Sequence, residues 1–198
     1  MAPAEPRRRA RRLPAGTPVA LENLDGAPMQ RVLLGATWDA PDFDVDMCAV
    51  LLDGSDRVPD SSWFLYRRNR QAPGHVGFVG YVRPGEESGP DRAQILLDLE
   101  RMPQEIVQVI VGFSAAQPRT LLPGAGVVKT RAMDLDTAQT SYVYVHDTAG
   151  MGSVPALATC LTLWQLRRTP TGWATAVVGA PYRGGPPAFA RDHGVTFG

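Results

Sequence analysis

The 198-residue sequence has few of the features that most often reveal a function. It contains two cysteines, Cys48 and Cys160, and a single lysine, Lys129. No apolar run reaches the roughly 18 residues that a membrane-spanning helix needs, and the residues after the N-terminal arginines lack the apolar core of a secretory signal. Both cysteines lie in apolar, strand-like runs far apart in sequence, which is typical of buried free thiols in a reducing cytoplasm. We therefore expect a cytoplasmic protein.

Catalytic patterns are equally scarce. The three histidines, His75, His146 and His193, are scattered, with no Cys or Ser at the spacing of a known catalytic motif. They form no pairing typical of zinc sites either. We therefore predict that the protein is not an enzyme. A hydrolase whose residues assemble only in space stays an alternative.

Positive charge is concentrated at the N-terminus, where RRRARR holds five of the 20 basic residues. Without residues 1–12, which also hold Glu5, 15 basic residues face 19 acidic ones, a net charge of −4. This balance argues against a nucleic-acid partner, which would require a basic face. Residues 1–13 are predicted to be a disordered, solvated tail. Peripheral contact between these arginines and an anionic membrane is the alternative interpretation.

Strand-like runs recur along the rest of the chain and are separated by Gly, Pro, Asp and Ser. Branched and aromatic residues fill them, in several cases with strict alternation. They predict an all-β fold, a two-sheet antiparallel sandwich of about ten strands in a single domain over residues 14–198. Helix is expected only as a turn or two in DLERMPQEI and near Val154, and residues 183–198 as an irregular covering segment. The main runs are RVLLGATW, VDMCAVLLD, HVGFVGYV, AQILLDL, EIVQVIVGFSA, GVVKTRAMDL, SYVYVHD, ALATCLTLWQLRR and WATAVVGAPY.

The most unusual run is PDFDVDMCAV, in which Asp42, Asp44 and Asp46 alternate. On a strand these side chains share one face, and converging carboxylates repel unless a cation lies between them. The pattern imitates the start of an EF-hand loop. That loop requires Gly and Glu where Met47 and Asp53 stand, so an EF-hand is excluded.

A collinear series of segments resembles the TerD family, the tellurium-resistance and stress proteins of bacteria. The series covers nearly everything after the arginine tail. It comprises Trp38-Asp39, Asp44-Val45-Asp46, SSWFLYRRNRQAPG, RPGEESGPD, QILLDLERMP, EIVQVIVGFS and LTLWQLRRTPTGWATAVVGAPYRGG. The resemblance implies a β-sandwich with acidic loops that bind calcium at one end. It also implies action through protein complexes near the membrane instead of catalysis.

The resemblance also implies metal ligands. Asp44 and Asp46 match the family's Asp-x-Asp strand start. The family's Gly-Asp-Asp-Glu becomes Gly89-Pro90-Asp91-Arg92, which keeps one aspartate and adds a cation, and Glu86 in the same loop is a substitute ligand. Two outcomes stay open: calcium bound by Asp44, Asp46, Asp91 and Glu86, or a salt bridge from Arg92 to Asp44 or Asp46 in its place.

The resulting prediction is a non-enzymatic TerD-like stress-response and tellurium-resistance protein that acts through other stress-response or Ter-type proteins. The alternative is a carbohydrate- or small-ligand-binding sandwich that uses exposed aromatic residues such as Trp63, Tyr66 and Trp173. For these three residues a place in the core is the expected role, because strand aromatics mostly face inward.

Overall fold

The computed structural model describes residues 9–81, 90–117, 120–147, 158–182 and 184–196 of the chain. Within these residues, thirteen strands form two sheets and one α-helix follows them, α1 (Gly185–Asp192). The six-stranded sheet contains β1 (Arg11–Arg12), β3 (Arg31–Trp38), β6 (Gly77–Tyr81), β7 (Ala93–Asp98), β9 (Val127–Asp134) and β10 (Gln139–Asp147). The seven-stranded sheet contains β2 (Val19–Ala20), β4 (Val45–Leu52), β5 (Phe64–Leu65), β8 (Gln108–Ala115), β11 (Cys160–Thr169), β12 (Gly172–Val177) and β13 (Pro181–Tyr182).

Both sheets are built almost entirely from antiparallel pairs. The six-stranded sheet runs β1-β10-β9-β3-β7-β6, and the seven-stranded sheet runs β2-β12-β11-β8-β4-β5, with β13 beside β11. Only the pairing of β1 with β10 is parallel among the described strands. The predicted all-β sandwich is therefore confirmed. The excess over ten strands comes from four two-residue strands, which are too short to leave an alternating pattern in the sequence.

The core lies between the two sheets. In β7, buried and half-buried residues alternate strictly, because one face packs inward and the other faces outward. One hydrogen bond crosses the core: Trp164 Nε1 donates to Thr130 Oγ1 at 2.6 Å, and that hydroxyl donates to Gly35 O at 2.7 Å. The indole N–H and the threonine hydroxyl are thus satisfied where water is excluded.

Helix α1 covers the outer face of the seven-stranded sheet. Its Phe189 is fully buried and makes edge-on ring contacts with Tyr182 and His193. All eight residues of β8 are buried, since this strand is covered on both faces. The prediction of an irregular segment is wrong for Gly185–Asp192, although the segment does cover the sheet. The predicted helical turn in DLERMPQEI is also wrong, because bends and a turn follow β7 there; the turn predicted near Val154 lies outside the described residues.

The chain enters the fold earlier than predicted. Arg11 and Arg12 pair with Tyr142 and Val143, and Leu13 is buried with its N–H bonded to Val143 O. The predicted disordered tail over residues 1–13 is therefore wrong at its C-terminal end. Its first eight residues lie outside the described part of the chain, and the single domain over residues 14–198 stays a prediction.

Candidate functional site

Asp44 and Asp46 are held by one arginine at the start of β4. Asp46 is the second residue of that strand, and Asp44 directly precedes it. Arg67 lies in the tight turn after β5, which is closed by reciprocal backbone bonds between Tyr66 and Asn69. Its Nε is 2.5 Å from Asp46 Oδ1, and its Nη2 is 3.2 Å from Asp44 Oδ1. The guanidinium thus occupies the position between the carboxylates that a cation would take.

Tyr81 lies beneath this guanidinium. Arg67 Cζ is 5.0 Å from the centre of the Tyr81 ring, and Arg70 Cζ is 5.7 Å from it. The Tyr81 hydroxyl donates to Met47 O at 2.9 Å, which links edge strand β6 of one sheet to β4 of the other. Burial raises the pKa of Tyr81, so the hydroxyl stays protonated and remains a donor.

Asp44, Asp46, Arg67 and Tyr81 are called the Arg67 cluster below. Burial lowers the pKa of Arg67, but the hydrogen bond and charge of Asp46, followed by the charge of Asp44, raise it by more. The planar guanidinium donates hydrogen bonds to the two carboxylates, and its positive charge interacts with the face of the aromatic ring.

Arg92 makes different contacts from those predicted. It lies over Trp38, with Cζ 3.9 Å from the ring centre, and donates to the carbonyl oxygens of Trp38, Ala40 and Pro41 at 3.2, 2.9 and 2.7 Å. Burial lowers the pKa of Arg92. The predicted bridge from Arg92 to Asp44 or Asp46 is therefore wrong, because Arg92 fixes the loop between β3 and β4 while Arg67 supplies the bridge.

Asp91 forms a second, separate ion pair. Its side chain is 3% exposed and receives Arg131 Nη2 at 2.6 Å and Arg131 Nε at 3.0 Å. Arg131 follows the inward-facing Thr130, so it lies on the outer face of the six-stranded sheet. The carboxylate of Asp91 lies directly over Gly35. The structure therefore assigns Asp91 to one arginine and the Asp44–Asp46 pair to another, contrary to the predicted common site.

The described residues do not fit a calcium ion. Calcium takes roughly six to eight oxygen ligands, whereas Asp44, Asp46 and Asp91 each accept hydrogen bonds from an arginine. No group of three or more His, Cys, Asp or Glu side chains suited to a metal occurs among the described residues. Glu86, the remaining predicted ligand, lies outside them.

Sequence reasoning missed the two arginines that matter here. Arg67 begins the RRNR run in the turn after WFLY, and Arg131 occupies an outward position in β9. The available sequence signal was position, since Arg67 lies in a turn and Arg131 lies at an outward strand position, where each can reach carboxylates of neighbouring segments.

The aromatic surface of the alternative function is not present as predicted. Trp63 and Trp173 are buried, 8% and 6% exposed, and Trp173 also lies beneath the guanidinium of Arg168. Tyr66 is half-buried and stacks on Phe64. The expected core role is confirmed for the two tryptophans.

Comparisons with known proteins agree with this fold. A family model described as the TerD domain matches residues 10–193. The tellurium resistance proteins TerD of Serratia marcescens and Alcaligenes sp are 28% and 27% identical to the chain over 179 residues, spanning 85% of this chain and 89% of each relative. A solved homologue of telluride resistance protein (TerD) from Streptomyces coelicolor has a TM-score of 0.62 at 18% identity, over 82% of this chain and 95% of its own.

Among the described residues, no helix combines the length and apolar character needed to cross a membrane. The family match covers nearly all of the chain, and it includes both sheets, the Arg67 cluster and all of α1. The chain therefore belongs to the TerD family.

Proposed function

We propose that this chain is a non-enzymatic tellurium-resistance and stress-response protein of the cytoplasm, in which an arginine has replaced calcium. The function is carried over from relatives named as tellurium resistance proteins. The replacement is inferred from the geometry of Arg67, which contacts both Asp44 and Asp46 above the ring of Tyr81.

A guanidinium in this position has a physical consequence that a bound ion does not have. It is covalently part of the chain and always charged, so Asp44 and Asp46 stay paired with a cation whatever the calcium concentration. Bound calcium would stabilise the fold only as its concentration approaches and exceeds the dissociation constant. The end of the sandwich where the Arg67 cluster lies would therefore have the same conformation with and without calcium.

Calcium titration of the melting temperature tests the replacement. We expect millimolar calcium to leave the melting temperature of the wild type unchanged, with magnesium as the matched control. A calcium-specific rise that disappears in the Asp44→Asn/Asp46→Asn variant would contradict the proposal, since it would show ligands that Arg67 does not neutralise.

We further propose that the protein acts by binding other stress-response or Ter-type proteins. Support comes from the membership of the TerD family. Expression in a tellurite-sensitive host that lacks its own copy tests this role. Restored growth on tellurite, together with co-purification of a host Ter-type protein, is expected. Unchanged sensitivity with a folded, abundant protein would contradict it.

A further inference from the structure

The two cysteines lie together on the outer face of the seven-stranded sheet. Cys48 in β4 pairs with Gly112 in β8, and Cys160 in β11 pairs with Ser114, two residues further along β8. A Cβ built on Gly112 would lie 2.8 Å from Cys48 Sγ and 3.6 Å from Cys160 Sγ. The two sulfurs are therefore at most about 6.4 Å apart, the sum of those two distances.

The space above Gly112 is closed by α1. The nearest atom of the Phe189 ring is 3.6 Å from the same built Cβ position, and Cys48, Cys160 and Phe189 are each 1% exposed or less. Any larger residue at 112 would collide with Cys48 Sγ, because real Cβ atoms essentially never approach within 3.0 Å. The absence of a side chain at Gly112 thus lets both sulfurs approach the same point on the outer face of β8.

A disulfide does not fit this arrangement. Cys48 and Cys160 lie on strands that flank β8 and are offset by two residues along it, so their Cα atoms are separated by more than two strand spacings, that is, more than about 9–10 Å. A disulfide requires Cα atoms within about 7 Å. A longer bridge is compatible with the upper limit on the sulfur separation, because two metal–sulfur bonds of about 2.3 Å in line span about 4.6 Å.

We propose that Cys48 and Cys160 form a binding site for a soft cation that two thiolates satisfy, of the Hg(II) or Cu(I) type. Soft sulfur ligands select such ions over calcium and magnesium. Zinc requires four ligands, and no third His, Cys, Asp or Glu joins the two thiols among the described residues. The inference is independent of the function proposed above.

The binding step balances without an oxidant. Each thiol loses its proton to solvent, two S–M bonds form, and two protons are released for each ion. With a divalent ion the S–M–S unit is neutral, which suits the apolar surroundings of Phe189 and the sheet. Burial raises the pKa of Cys160 to about 12 and also raises that of Cys48, so we expect binding to strengthen as the pH rises.

Metal titration of the reduced full-length protein tests the site. Native mass spectrometry with Hg(II), and separately with Cu(I), is expected to show one ion per chain and a raised melting temperature, with zinc and calcium as negative controls. Cys48→Ala and Cys160→Ala should each weaken binding at least tenfold. Gly112→Ala keeps both thiols but places a methyl group between them, and we expect it to weaken metal binding by a similar factor.

Three results would overturn the proposal. They are two ions bound independently per chain, wild-type affinity in either single-cysteine variant, or a melting temperature that falls as the ion is added. Circular dichroism shows whether each variant is folded. If the variants do not fold, the stoichiometry and the melting shift of the wild type decide the question.

Discussion

Asp91 and Arg131 form a buried ion pair on the six-stranded sheet. Removing one partner of a buried pair leaves the other charge buried and unpaired, which typically destabilises the fold by about 3–5 kcal/mol. Arg131 keeps a 20% exposed side chain, which lets water screen part of its charge. We therefore expect Asp91→Asn to lower the free energy of unfolding by about 3 kcal/mol, measured by urea denaturation.

An exposed pair in the same sheet provides the matched control. Arg31 and Asp136 are in contact, but their side chains are 54% and 40% exposed. Asp136→Asn should leave the urea midpoint nearly unchanged, because exposed pairs contribute little. Equal losses in the two variants would mean that the burial of Asp91 has no energetic effect.

His146 predicts a specific loss of stability in acid. Its side chain is 3% exposed, lies against Tyr144 and Gly179, and has no hydrogen-bond partner at Nε2 among the described residues. Burial lowers the pKa of His146 from 6.5 to about 4. Between those values the unfolded chain takes up a proton that the folded chain does not, so stability falls as the pH falls from 6.5 to 4.

The test is the pH dependence of the free energy of unfolding in the wild type and in His146→Gln. The wild type should lose up to about 3 kcal/mol more than the variant across this window. The difference between the two proteins removes the contribution of carboxylates that titrate in the same range. Parallel pH profiles would show that His146 is not the group responsible.

At the level of single residues, the sequence identified the acidic residues but not their partners. The run of Asp42, Asp44 and Asp46 is visible by eye, yet Arg67 is 21 residues from Asp46 and Arg131 is 40 residues from Asp91. Which cation meets which carboxylate depends on the strand order, and no local pattern contains that order. Arg92, adjacent to Asp91, was the nearest candidate in sequence and has carbonyl partners instead.

At the level of elements, Gly35 in β3 shows how a strand accommodates the buried pair. A Cβ at this position would lie 2.3 Å from Asp91 Cγ, so alanine cannot enter unless the carboxylate moves. We expect Gly35→Ala to destabilise by about 2–4 kcal/mol, because it displaces Asp91 from Arg131.

A double-mutant cycle separates this effect from a general intolerance of β3. In an Asp91→Ala background, Gly35→Ala should destabilise much less, which gives a coupling energy above about 1 kcal/mol. Additive losses would mean that the two residues do not interact through contact.

The long strands were predictable, and the helix was not. RVLLGATW is β3, an apolar run that is buried along most of its length, and AQILLD is β7, in which buried and half-buried positions alternate. Helix α1 has eight residues and begins with Gly185 followed by two prolines. Proline suits the first turn of a helix, but this composition also marks loops. Only the packing of Phe189 on the sheet distinguishes the two.

For the whole molecule, the N-terminal residues close one side of the sandwich. β1 pairs with β10 in one sheet, whereas Ala15 bridges to Val177 and β2 pairs with β12 in the other. Arg11 adds bonds to the carbonyl oxygens of Glu22 and Asn23 and lies over the ring of Tyr142.

Two truncations test this closure. Removing residues 1–8 keeps every described contact and should leave the urea midpoint unchanged. Removing residues 1–13 also removes β1 and buried Leu13, and it should lower the free energy of unfolding by about 2–3 kcal/mol. Equal stability of the two truncated proteins would restore the prediction of a structureless segment up to residue 13.

The parallel pairing of β1 with β10 also constrains the order of assembly. Tyr142 and Val143, the partners of Arg11 and Arg12, are made about 130 residues later than those arginines. At synthesis rates of about 5–20 residues per second, this is a wait of about 7–26 seconds. Strand β1 therefore docks late. A bulky fusion before it would hinder the pairing of β1 with β10 more than it would hinder the sheets that form earlier.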